Sequence, residues 1–156
     1  MIEVLIGILL ITYLLILSFS DIRSQKIPVV ILKIGILGVL IWLSAECFVF
    51  TPPSERIIRV VTALLGALPG TFLVLLSYYS DKVGRGDGIV LLTIGFTESC
   101  TFTMILICLA CICLALLSGI LMCFRMVNGK TRMPYIPFVT GAYCFLKLYE
   151  GSLLFI

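Results

Sequence analysis

The chain of 156 residues is 62% hydrophobic and 12% charged, with a formal net charge of +3. Apolar runs of bilayer-spanning length fill most of it, which excludes an ordinary soluble domain. The alternating pattern of a membrane β-barrel is absent, and no basic patch interleaved with aromatics offers a nucleic-acid footprint.

The expected fold is therefore all-α: a polytopic membrane helical bundle, read as one membrane-embedded domain over residues 1–156 with no room for an extramembrane domain. The first spanning segment covers residues 2–20. Glu3 stands where a secretory leader carries a basic start, and no small-x-small cleavage pattern precedes Asp21, so the segment reads as a permanent helix. A short polar loop from Asp21 to Pro28 follows. Proline suits the first turn of a helix, where its missing N–H costs nothing. The second helix spans about 27–50, with Lys33 near enough to its start to snorkel back toward the loop. Thr51-Pro52-Pro53-Ser54-Glu55-Arg56 is the clearest loop.

The third helix covers 57–79. Gly66, Pro69 and Gly70 at its middle can either kink it or let a neighbour pack closely. A polar, glycine-rich stretch, Ser80 to Gly88, then interrupts the apolar sequence. Residues 88–124 are too long for one crossing and short for two at about 20 residues each. Basic residues decide between the two. Arg23 and Lys26, then Lys82 and Arg85, then Arg125, Lys130 and Arg132 mark three positive loops, which the positive-inside rule assigns to the cytoplasm. The intervening loops hold Glu46, Glu55, Arg56, Arg59 and Glu98. All three positive loops share a side only if 88–124 crosses twice. The reading is a short fourth segment, 88–96, and a full fifth, 100–124, giving about six segments. The fourth would cover only about 13 Å, so it must be shielded by protein or meet a thinned bilayer. The last helix follows Met133-Pro134-Tyr135-Ile136-Pro137-Phe138, and on it Lys147 and Glu150 share a face and pair.

Histidine is absent, which removes Ser-His and Cys-His pairs and every histidine-based metal site. Of the seven cysteines, Cys108, Cys111 and Cys113 form C-x-x-C-x-C, but inside an apolar run, where cysteine acts as a small hydrophobe. No metal and no cofactor are expected. Two of the eight acidic residues stand out. Asp21 and Asp87 each lie at a membrane boundary beside glycine or proline punctuation, and the topology puts both on the cytoplasmic side. Across one cleft, one such acid stays protonated while its partner activates water. The nearest decoy is Asp81, in the same loop as Asp87. The glycines around Asp87 allow the closer approach of backbone and substrate.

These residues resemble the prepilin peptidases, membrane aspartic proteases of the GxGD group. Gly84-Arg85-Gly86-Asp87 matches G-x-G-D, Asp21 ends the first helix, and Asp21 with Pro28 matches the D-x6-P pattern. Ile136-Pro137-Phe138 looks like the proline-aromatic stretch that opens the family's last helix, and Gly95 falls where the family keeps a glycine. The resemblance covers nearly the whole chain. It implies that Asp21 and Asp87 are the catalytic aspartates, supported by Gly84, Gly86, Pro28 and Pro137. It also implies cleavage of the basic leader of a prepilin or pseudopilin precursor at the cytoplasmic membrane face, usually after glycine. Two positions depart from the family pattern: Ile89 stands in place of a lysine and Val29 in place of an asparagine. The cysteine-bearing insertion of the longer members, which also methylate the new N-terminus, is absent, so this short form is expected only to cleave.

The rival readings are a small proton-coupled transporter or channel component, with Glu98 and Glu150 as relay groups, and a catalytically silent assembly factor of the same fold. A Ser-Lys dyad using Lys33 or Lys147 lacks a serine in a recognisable motif. The partners expected are a protein precursor and the bilayer, with no nucleic acid; the sequence leaves the oligomeric state open.

Overall fold

The computed structural model describes residues 2–24, 28–79, 84–124 and 134–153. Among them six α-helices and no strand form: α1 (Ile2–Ser24), α2 (Val29–Ala45), α3 (Arg56–Tyr79), α4 (Arg85–Thr97), α5 (Cys100–Cys123) and α6 (Ile136–Leu153). A π-helical turn, Glu46–Phe50, prolongs α2. The chain is a helical membrane bundle. Among the described residues, four stretches are long and apolar enough to cross a membrane: Leu5–Arg23, Val29–Phe50, Arg56–Tyr79 and Cys100–Cys123.

The helix ends differ from expectation at both aspartates. The first helix does not stop before Asp21 but continues through it to Ser24, and Arg23 suits its last turn, where the helix dipole favours a cation. The fourth helix starts at Arg85 instead of at residue 88, so Asp87 lies in its first turn, where the dipole favours an acid. Thirteen residues extend about 20 Å, closer to the hydrocarbon thickness than the segment expected from hydropathy. Asp81, Lys82, Lys26, Arg125, Lys130 and Arg132 lie outside the described residues.

The chain divides into two compact units, one of Met1–Ile27 with Leu106–Ile156, the other Pro28–Ile105. In the first, α1 packs against α6. Leu10, Leu14, Leu17, Ser18 and Asp21 recur every three or four positions on α1, apart from the adjacent Leu17 and Ser18, and are all buried. Ile136, Val139, Thr140, Ala142 and Tyr143 are buried on α6. The Thr140 hydroxyl lies 3.4 Å from the carbonyl oxygen of Leu14 and 2.9 Å from that of Ile136. Further along α6, Lys147 Nζ pairs with Glu150 Oε2 at 3.1 Å, as their spacing predicts.

In the second unit α4 packs against both α3 and α2. Glycine makes the α3–α4 contact close. A Cβ on Gly66 would run into the carbonyl oxygens of Gly95 and Glu98, and one on Gly70 would stand 2.5 Å from the Leu92 Cα. A Cβ on Gly88 would stand 2.8 Å from the Val74 nitrogen. The pairs 66 with 95, 70 with 92, and 74 with 88 run in opposite senses, so the two helices are antiparallel. Val90, Leu91, Thr93, Ile94 and Gly95 are buried, giving the short α4 the protein shield its length requires. Gly66 and Gly70 thus serve close packing, the second of the two roles open to them.

Candidate active site

Asp21 occupies the last turn of α1 and is 7% exposed. A carboxylate in apolar surroundings is costly, and the fold offsets that cost with backbone donors. The N–H of Ile136, the first residue of α6, donates to Asp21 Oδ2 at 3.3 Å, and the Tyr135 backbone also hydrogen-bonds this carboxylate. Pro134 and Pro137 mark the start of α6 in the sequence, but nothing there announces that Asp21 meets it.

Asp87 is half-buried in the first turn of α4. Gly84 caps that helix in an extended conformation, φ −67° and ψ 122°, and its carbonyl oxygen accepts the Asp87 N–H at 3.1 Å. A Cβ on Gly84 would stand 2.7 Å from Asp87 Oδ2, so a side chain there would crowd the carboxylate. Gly86 is half-buried beside it. Arg85 turns its guanidinium over the Tyr78 ring, 5.2 Å from the centroid. The backbone position of Asp87 follows from the glycine contacts of α3 and α4, because Gly88 seats the start of α4 against Leu73 and Val74.

Pro28 is the N-cap of α2, and its carbonyl oxygen accepts from Ile31 at 3.1 Å and Leu32 at 3.3 Å. Pro137 lies in the first turn of α6, one residue beyond the amide that meets Asp21. Asp21 belongs to the first unit and Asp87 to the second. Among the described residues no group of three or more cysteine, aspartate or glutamate side chains converges to hold a metal ion. Cys108, Cys111 and Cys113 lie exposed on α5.

A further polar cluster, which charge placement alone does not reveal, closes the α2–α3 hairpin. Arg59 grips Glu46 through two bonds, Nε to Oε1 at 2.8 Å and Nη2 to Oε2 at 2.9 Å, and Trp42 Nε1 donates to Glu46 Oε2 at 3.2 Å. Arg56 donates to the carbonyl oxygens of Thr51 and Phe48. This cluster is a structural clasp: its carboxylate is neutralised by a bidentate cation.

No curated protein and no solved structure matches the chain. The sequence model of the type IV leader peptidase family matches residues 8–120, a span that includes Asp21, Pro28, Gly84, Gly86 and Asp87 and ends before α6. With that match over most of its length, the chain belongs to the type IV leader peptidase family.

Proposed function

We propose that this protein is an aspartic endopeptidase that removes the basic leader of prepilin or pseudopilin-type precursors at the cytoplasmic membrane face. Asp21 and Asp87 share the work: one carboxylate takes a proton from water as it attacks the scissile carbonyl, and the other, protonated, donates to the departing amine. The observation that carries this reading is Asp21, an almost fully buried carboxylate held by backbone amides at the end of a spanning helix. Such a group in a membrane protein is costly to keep and is a functional residue by default. Asp87 supports it, because the neighbouring glycines leave room for a peptide backbone to come close. The basic loops support the cytoplasmic face, and the absence of the cysteine-bearing insertion supports cleavage without methylation.

The experiment is leader cleavage of a synthetic precursor carrying a basic leader, a glycine and a long apolar helix. Asp21→Ala and Asp87→Ala should each abolish cleavage while the protein still inserts, and Asp81→Ala should keep most of it. Normal cleavage by either of the first two variants would reject the two-aspartate mechanism.

A further inference from the structure

We infer that the first turn of α6 is the positioning element for Asp21, its backbone amides at Tyr135 and Ile136 fixing the carboxylate for reaction. The inference rests on the proposed role of Asp21 and deepens it. A helix start leaves its first N–H groups without partners inside the helix. At α6 these can be accounted for one by one. Pro134 and Pro137 have no N–H. Phe138 N–H donates to the Tyr135 carbonyl oxygen at 3.1 Å and Val139 N–H to the same oxygen at 3.3 Å. What remains is Tyr135 and Ile136, and both backbones hydrogen-bond Asp21.

The turn is itself held still. Ile136 is fully buried, and Thr140, one turn on, reaches the Leu14 carbonyl oxygen two turns before Asp21. Two attachments at this spacing tie α6 to α1, and of the two it is the amides, not Thr140, that touch the Asp21 carboxylate. Between Pro134 and Thr140 the chain carries no charged side chain, and Arg23 on α1 is exposed. Backbone amides are thus what the start of α6 offers the carboxylate. A carboxylate oriented by fixed donors needs no reorganisation when water attacks the scissile carbonyl.

The test removes an N–H without changing a side chain. Insertion of the α-hydroxy analogue of isoleucine at 136 replaces that amide by an ester, and the same chemistry at Tyr135 gives a second variant should the first fail to fold. Each is assayed on the synthetic precursor beside Asp21→Ala and Thr140→Val. The ester should lower kcat about ten- to a hundredfold, the scale of one hydrogen bond to a charged group, and leave KM unchanged. Thr140→Val, which removes the other bond between the helices, should lower thermal stability and leave kcat unchanged. Full kcat in both ester proteins, with Asp21→Ala inactive, would overturn this inference alone. So would a raised KM with kcat intact, or an equal loss of kcat in Thr140→Val. An active Asp21→Ala protein would reject the proposed function itself.

Discussion

Two carboxylates in this protein meet the same difficulty, ionisable oxygen in apolar surroundings, by different means. Glu46 is neutralised by Arg59 in a bidentate pair and held by Trp42. Asp21 is held by backbone amides. The first arrangement suits a clasp and the second a reactive group. Removing Arg59 should therefore cost stability and spare chemistry. Arg59→Met is expected to lose about 1.5–3 kcal/mol, the range for hydrogen bonds to a charged group, with cleavage per folded molecule unchanged. The double exchange Glu46→Arg with Arg59→Glu should recover part of that loss, measured by thermal unfolding in detergent. No recovery would mean that opposite charge alone does not hold the hairpin. Asp21 and Asp87 are legible as charges at the ends of apolar runs. Their partners are not: a backbone amide has no sequence letter, and only Pro134 and Pro137 hint at where the free ones lie. Nor does sequence join Glu46 to Arg59, since the hairpin between them decides whether they meet.

At the scale of elements, the close approach of α3 and α4 sets where Asp87 stands. Gly66 and Gly70 are readable as small residues in an apolar helix. Their partners, Gly95 and Leu92, emerge only from the antiparallel packing. The start of α4 escapes hydropathy for a related reason. Hydropathy marks where apolar residues begin, whereas the helix begins three residues earlier with polar ones, among them an acid that suits its first turn. Gly66→Val should overpack this interface, costing about 1–3 kcal/mol, and should reduce cleavage because α4 carries Asp87. Gly38→Ala is the matched control, since a Cβ there meets nothing within 4 Å. Equal thermal stability of the two variants would show that the glycine contact does not hold α4 in place.

For the whole molecule, the distribution of basic residues makes a topology prediction. In a cysteine-free background, single cysteines at Ser24 and Gly129 should react with a membrane-impermeant reagent only from the cytoplasmic side, and those at Ser54 and Glu98 only from outside. Outside labelling at Gly129 would mean that residues 88–124 cross once, leaving the short α4 without a crossing of its own.

The proposed mechanism is more demanding still. Two carboxylates can share one attacking water only if each reaches it at about 2.6–3.2 Å. Nothing in the chain's order brings Asp21 and Asp87 together, so helix packing has to, and the sequence is silent on that packing. The glycines at 84, 86 and 88 allow the second carboxylate to settle when substrate arrives, so the distance in the resting protein can exceed the working one. The double variant Asp21→Cys with Asp87→Cys, again without other cysteines, should therefore cross-link in membranes with a short or a somewhat longer bifunctional thiol reagent. A bound precursor should favour the short one. Failure with both reagents in a protein shown to be folded would remove the shared-water mechanism, whatever the single alanine variants had shown about the importance of each aspartate.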